Sequence, residues 1–201
     1  MSFLSIDSST DLGSLFVKIK NKTFSRVLQS DKFNNDLLMK QILDFFKENN
    51  LEFADISKIF VNQGPGNFSS LRGSLAVAKG ISIAKSLNLF GYNTFIWGCT
   101  KFYNKKDTIF SLIKFREKYF IKKFNQNFKN TSKIKEVTVD EIIKKNHNKF
   151  YVIPRNFIHV IDKQVLELSN LNIVDLDHNQ LEFLQLKGLL DEELIKPLYL
   201  S

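Results

Sequence analysis

Residues 59–87 read IFVNQGPGNFSSLRGSLAVAKGISIAKSL. The apolar Ile59-Phe60-Val61 is a short strand that runs into Gly64-Pro65-Gly66. The two glycines permit backbone angles that a side chain forbids, and Pro65 fixes its own φ between them. A helix is predicted from about Ser69 to Leu87, with Asn67 or Ser69 capping its first N–H groups. Along it Gly73, Ala76, Gly80 and Ala84 recur at helical spacing. They make one stripe on which another backbone can come close.

A strand, glycine turn and helix in succession are also a common phosphate cradle. Neither phosphate fingerprint is met. The Lys-Ser/Thr pair of a P-loop is absent, and Ser69 stands where the dinucleotide motif needs its third glycine. Taken alone, the turn reads as a tight corner leading into a core helix.

The elements before this stretch are short. Residues 3–7, 13–20 and 23–29 read as strands, with Asn21-Lys22 as the second turn, so an antiparallel meander is predicted. A helix follows over 31–48, capped by Asp31 or Ser30. Phe33, Leu37, Leu38, Ile42, Phe45 and Phe46 fall on one broad stripe of it. Strand 58–62, the glycine turn, helix 69–87 and strand 89–92 complete the order β-β-β-α-β-α-β. Helices that join successive strands imply parallel crossovers beside the meander.

The second half is less patterned. A short helix is predicted over 94–103, a hairpin from 107–114 and 117–124, strands at 150–153 and 157–161, and short helices at 164–171 and 180–190. Residues 125–149 are polar and rich in Lys and Asn, without a clear period. No internal repeat is visible. The expected division is a lobe over 1–103 and a reduced, basic lobe over 104–201.

The stretch 64–84, GPGNFSSLRGSLAVAKGISIA, resembles the GPGSFTGLR-x-G…AKG segment of the bacterial TsaB family. The matching residues are Gly64, Pro65, Gly66, Phe68, Leu71, Arg72, Ala78, Lys79 and Gly80. Ser70 replaces the usual Gly, and Gly73 precedes Ser74. The hairpin sets Glu117 and Tyr119 on the family's Glu and Tyr, with Leu112 for its Asp and Lys114 for its Arg. Lys196-Pro197-Leu198-Tyr199-Leu200 resembles the family's Pro-x-Tyr-Leu close. The resemblance covers 3–103 well and the remainder loosely. It implies an α/β chain of ribonuclease-H-like, actin-like ATPase fold, with a reduced second lobe.

Composition bounds the rest. Hydrophobic residues make up 43% and charged residues 25%, enough for a packed core. The single cysteine, Cys99, has no internal partner and fits a reducing compartment. There is no secretory leader pattern and no apolar run of the roughly twenty residues a bilayer span needs. A cytoplasmic protein with no membrane partner is expected. The net charge of +8 is concentrated: residues 101–149 carry +9 and the rest −1. Basic residues interleaved with aromatics there are a possible tRNA contact, with Lys122, Lys123 and Lys129 as candidates. Only four of the 29 basic residues are Arg, so an AT-rich genome accounts for the same bias equally well.

Chemistry-bearing constellations are scarce. Asp7-Ser8-Ser9-Thr10 resembles the corner at which this fold holds a magnesium nucleotide, so Asp7 is the one cofactor-binding candidate. Ser9 stands where sugar kinases have glycine, and Asp7 reads better as a polar strand end bonded to the following turn. His147, His159 and His178 are isolated and read as surface residues, so no metal site is expected. Cys99 and the Ser8, Ser9, Ser69 and Ser70 hydroxyls lack an argued base. No catalytic residue and no cofactor are therefore expected.

What the resemblance implies is docking. TsaB is the non-catalytic partner of TsaD, the enzyme that makes threonylcarbamoyladenosine (t6A) at position 37 of tRNAs reading ANN codons. The helix pair 31–48 and 69–87 resembles the pair that bundles with TsaD. Its candidate contacts are Phe33, Leu37, Met39 and Gln41 on the first helix. On the second they are Ser69, Arg72, Gly73, Ala76, Gly80 and Ala84. The family's first helix opens with His-Ser, and here Phe33-Asn34 occupies that neighbourhood. The expected partners are TsaD as a heterodimer, TsaE, tRNA within the complex, and a second copy when the chain is alone. The alternative is a small-molecule kinase or ATPase of the same fold, against which the missing glycine and missing second phosphate motif count. A peptidase, suggested by the glycoprotease label some relatives have carried, lacks both a zinc helix and a triad.

Overall fold

Three antiparallel strands and two parallel ones share the first sheet of the computed structural model, which describes residues 2–10, 13–28, 37–144 and 149–200. Strands β1 (Ser2–Asp7), β2 (Ser14–Ile19) and β3 (Lys22–Val27) form the meander. Its second turn falls on Lys20-Asn21, one residue earlier than expected, because Ile19 pairs with Lys22 and Lys20 takes a φ of 54°. Strand β4 (Lys58–Asn62) lies parallel to β1, and β5 (Asn88–Tyr92) lies parallel to β4. The order β3-β2-β1-β4-β5 is the ribonuclease-H-like arrangement that the element order implies.

The faces of this sheet follow from strand alternation. Leu4, Ile6, Leu15, Val17, Ile59 and Val61 form one core with two helices. Helix α1 (Leu37–Glu48) contributes Leu38, Ile42, Phe45 and Phe46, and helix α2 (Phe68–Lys85) contributes Leu75, Ala78 and Ile81. The predicted start of the first helix, with both proposed caps and Phe33, lies outside the described residues. The opposite face carries an aromatic row. The Phe3 ring centroid lies 5.6 Å from that of Phe16 and 5.0 Å from that of Phe60, and Phe60 lies 5.6 Å from Phe90. Every residue of β4 is buried, as befits the strand flanked on both sides.

By its packing the chain forms two units, residues 1–93 with 190–199, and residues 94–189. The expected boundary at 103–104 differs at both ends: 94–103 joins the second unit and 190–199 returns to the first. That return is tied by hydrogen bonds. Gly91 and Asp191 exchange both backbone bonds at 2.7 and 2.9 Å, and Ile195 is buried in the first core.

The second unit repeats the topology of the first. Strands β6 (Thr108–Phe115), β7 (Lys118–Asn125) and β8 (Lys135–Val137) are antiparallel, while β9 (Tyr151–Pro154) and β10 (Leu171–Val174) are parallel to β6. The order β8-β7-β6-β9-β10 reproduces that of the first sheet, without a repeat visible in the sequence. Four short helices accompany it: α3 (Thr94–Cys99), α4 (Val139–Lys144), α5 (Lys163–Leu166) and α6 (Gln180–Leu186). Residues 157–161, expected as a strand, lie in and just after a 3-10 turn over Arg155–Val160. Their buried members Phe157 and Ile161 are four apart, a helical rather than an alternating spacing. The expected helix 164–171 stops at Leu166, and Leu171–Val174 is a strand.

His178 corrects another expectation. It is buried, with its ring 4.8 Å from that of Trp97, and burial pulls its imidazole down to about 4. The folded unit then holds fewer protons than the unfolded chain below the ordinary histidine pKa of about 6.5. Stability is present above that value and is lost as pH falls toward 4, by about 3 kcal/mol at the full extent. Denaturant unfolding across pH 7 to 4 is expected to show this loss in the wild type, and His178→Gln is expected to flatten that part of the profile.

Candidate functional site

The end of β1 and the end of β4 are joined by one buried carboxylate and one buried amide. Asp7 Oδ1 accepts from the Ser9 N–H at 2.9 Å and from Asn62 Nδ2 at 3.0 Å. The same Nδ2 donates to Ser9 Oγ at 3.1 Å, while Asn62 Oδ1 accepts from the Gly64 N–H at 2.9 Å. Burial raises the Asp7 carboxyl above the usual range, and the bonds from Ser9 and Asn62 oppose that rise. Asp7 is thus a fastener between two strands, as the polar-strand-end reading expects.

The glycine turn then closes onto this corner. Gly64 takes a φ of +113°, which favours glycine, and the Gly64–Pro65 peptide is cis. Gly66 lies so close to Ser9 that an added Cβ would overlap the Ser9 backbone. The two loops are in backbone contact at this point. Asn67 rather than Ser69 caps α2, its Oδ1 accepting from the Ser69 N–H at 3.0 Å.

The returning segment completes the site. Gln63 donates through Nε2 to the Lys196 carbonyl at 3.0 Å, and its own carbonyl accepts from the Leu198 N–H at 2.6 Å. Tyr199 then stacks on Phe68 with centroids 5.0 Å apart. Arg72 donates through Nε to the Tyr199 hydroxyl at 3.0 Å and holds its guanidinium 3.9 Å over the Phe68 ring. This Phe68–Arg72–Tyr199 clasp links distant parts of the chain, and only the family-like Pro-x-Tyr-Leu ending hinted at it.

From the clasp the outward face of α2 runs through Ser69, Arg72, Ala76, Gly80 and Ala84, all exposed, with Gly73 half-buried beside them. Ile83 lies on the same face and is 81% exposed. The sequence reading passed over it although its spacing of three from Gly80 puts it on the stripe. The small-residue stripe therefore faces out, while Leu71, Ser74, Leu75, Ala78 and Ile81 face in. The α1 candidates are placed differently. Met39 packs against the core, Leu37 and Gln41 are half-buried, and Leu43 is the exposed apolar residue there. A recess of about 480 Å³ lies between α2, β5 and the returning segment, lined by Lys79, Ser82, Phe90, Glu192 and Ile195 among others.

In the second unit the Tyr119 hydroxyl donates to Asp162 Oδ2 at 2.6 Å and accepts from the Asp162 N–H at 2.8 Å. Lys114 Nζ lies 3.0 Å from the same carboxylate and 3.5 Å from Glu117. Tyr119 and Lys114 hold the Asp162 carboxyl below its ordinary value. Asp162 was not found in the sequence because it lies 43 residues from its tyrosine. Of the lysine candidates, Lys123 and Lys129 are exposed, whereas Lys122 is half-buried with its ammonium 5.4 Å over the Phe124 ring. Burial pushes the Cys99 thiol up to about 12, which removes it as a nucleophile near neutral pH. Among the described residues no group of three His, Cys, Asp or Glu side chains could hold a metal ion, and no helix is long and apolar enough to cross a membrane.

Comparison with known proteins gives a family model, two curated relatives and two solved structures. The family model described as "TsaD: tRNA N6-adenosine threonylcarbamoyltransferase" matches residues 30–147. A protein of Buchnera aphidicola subsp. Baizongia pistaciae, named tRNA threonylcarbamoyladenosine biosynthesis protein TsaB, is 33% identical over 88 residues, 43% of this chain and 39% of the relative. Its namesake in Buchnera aphidicola subsp. Acyrthosiphon pisum is 26% identical over 145 residues, 71% of this chain and 65% of the relative. The chain thus spans less than two thirds of the length of either curated relative. Among solved structures, YeaZ from Pseudomonas aeruginosa superposes with a TM-score of 0.69 at 16% identity, covering 99% of both chains. A second, described as an uncharacterized protein with similarity to peptidase YEAZ from Pseudomonas aeruginosa, has a TM-score of 0.71 at 15% identity over 100% of this chain and 99% of its own. At those identities the two structures establish the actin-like, ribonuclease-H-like fold.

The corner carries two expected outcomes for thermal unfolding. Asp7→Ala strips the acceptor from two buried donors and is expected to cost about 1–3 kcal/mol. Asp7→Asn keeps Oδ1 and removes a buried charge, so it is expected to cost less than Asp7→Ala at pH 7. Gly66→Ala drives a methyl into the Ser9 backbone and is expected to destabilise by several kcal/mol, on the order of a strained core substitution.

Proposed function

The chain belongs to the TsaB family, and from that premise we propose that it is a non-catalytic subunit that docks onto TsaD. In this reading it supports TsaD in threonylcarbamoylation of adenosine 37 of tRNAs reading ANN codons, in the cytoplasm, with TsaE joining the assembly. The observation that carries the reading is the outward face of α2. Ala76, Gly80 and Ala84 form a low ridge on which a partner helix can lie close, and Ile83 offers an apolar anchor beside it. The clasp adds Phe68, Arg72 and Tyr199, residue types that concentrate binding energy at interfaces, already held in place. The same face suits a second copy of the chain when the partner is absent.

The contact between Gly66 and Ser9 weighs against the kinase or ATPase alternative, because phosphate binding there would require the two loops to part. Asp7 is likewise committed to the Ser9 N–H and Asn62.

The test is association with TsaD from the same organism, by co-purification and calorimetry. The wild type is expected to form a one-to-one complex. Ala76→Arg with Gly80→Arg is expected to weaken it at least tenfold, which corresponds to about 1.4 kcal/mol. Gly80→Ala serves as the control. A Cβ there meets nothing within 4 Å, and replacing a helical glycine stabilises by about 0.5–1 kcal/mol. Absence of any wild-type complex would sink the reading.

A further inference from the structure

Lysine is spread through the second unit, but its counter-charges are not. The ion pairs Lys114–Asp162, Lys118–Glu136 and Arg155–Asp175 gather where β6, β9 and β10 end and β7 begins, while Lys163–Glu167 lies on the link from β9 to the start of β10. At the opposite end of the sheet β6 and β9 begin and β7 ends. There the links 103–107, 125–130 and 149–150 meet. The Asn104 N–H donates to the Gln126 carbonyl at 2.8 Å, and the Phe110 N–H donates to the Phe150 carbonyl at 2.9 Å. The end of α6 joins them through Tyr103, whose ring lies 5.4 Å from Phe128 and 5.1 Å from Phe183.

These segments carry Lys105, Lys106, Lys129, Lys149 and Lys187, with Lys123 near the end of β7, and their one acidic residue is Asp107. Lys105, Lys106, Lys123, Lys129 and Lys187 are exposed, and among the described residues none of these five forms an ion pair. Half-buried rings support the long stems. Lys106 Nζ lies 4.7 Å over Phe150, Lys149 Nζ 5.2 Å over Phe110, and Lys187 Nζ 5.8 Å over Tyr103. Such stems cover apolar surface while the ammonium groups stay in water.

Genome composition can raise lysine everywhere. It does not pair the cations at one end of a sheet and leave five exposed lysines at the other without an ion pair among the described residues. A surface of this kind raises the local concentration of a polyanion and is relieved by one. We infer that this end of the second unit binds the phosphate backbone of RNA. That the RNA is tRNA rests on the function proposed above. Contacts from lysine ammonium groups to phosphates carry no sequence information, so this binding is independent of sequence and depends on salt.

The experiment is fluorescence anisotropy of labelled tRNA against the full chain, alone and with TsaD, over a series of salt concentrations. Two double variants change net charge equally: Lys105→Glu with Lys129→Glu at the basic end, and Arg116→Glu with Lys163→Glu at the paired end. The basic-end variant is expected to lose at least tenfold in affinity and to flatten the slope of log K against log salt by about 1.5–2. The other is expected to stay within about threefold of wild type. Equal losses in both variants, or no loss in either, would overturn the inference. Co-purification of the basic-end variant with TsaD is scored separately. Retained TsaD with unchanged tRNA affinity refutes the RNA surface and leaves docking standing. Anisotropy on the chain alone reads the surface even if docking fails.

Discussion

A carboxylate buried at the end of a strand has to be given donors, and in this chain one amide supplies much of what Asp7 needs. Asn62 donates to Asp7 and to Ser9 and accepts from Gly64, so a single side chain sets the corner after β1 and the turn after β4. The consequences run outward from there. With Gly64 held, Gly66 settles against Ser9 and Asn67 falls into position to cap α2. The cap fixes where the helix starts, and the start fixes which side faces the sheet. The network fixes where α2 begins, and the buried Leu71, Leu75, Ala78 and Ile81 then leave Ala76, Gly80 and Ala84 on the outward side.

The same turn fastens the end of the chain. Gln63, next to Asn62, bonds to both Lys196 and Leu198, and Tyr199 is thereby delivered to Phe68 and Arg72. The Asp7 carboxylate is bonded to the Ser9 N–H and to the Asn62 amide. The pocket-like signature in the sequence and its structural use part company at this point. The residues that resemble a nucleotide corner make a joint, and the joint presents a helix.

How much of this was legible depended on whether the signal was local. The elements of the first sheet, the antiparallel meander and the parallel crossovers follow from local periodicity and connection length, and the sequence carried them. Ser69 against Asn67 as the cap was undecided because both precede the same turn of helix. The shift of the β2–β3 turn to Lys20-Asn21 depends on register across two strands. The less legible features join distant residues: Asp162 with Tyr119, Trp97 with His178, and Tyr199 with Phe68. The second sheet was obscured for a different reason. Its strands carry Lys114 and Lys122 at half-buried positions, where their stems break the apolar alternation that marks a strand.

Two sheets of one topology thus present surfaces with opposite requirements. The proposed docking face on α2 would work through volume: Ala76, Gly80 and Ala84 are small, a methyl at Gly80 meets nothing within 4 Å, and a long side chain there would block approach. Ionic strength should matter little to such a surface, because packing and apolar contact are not screened. The basic end of the second sheet works through charge: its side chains are long and their exact shape matters little, while each reversal of sign is felt and salt weakens the whole. A chain that drifts in composition can keep both as long as two conditions hold. Small residues must stay on one stripe of α2, and lysines must outnumber acids at one end of β6, β7 and β9. Both conditions concern the size and charge of side chains on the surface.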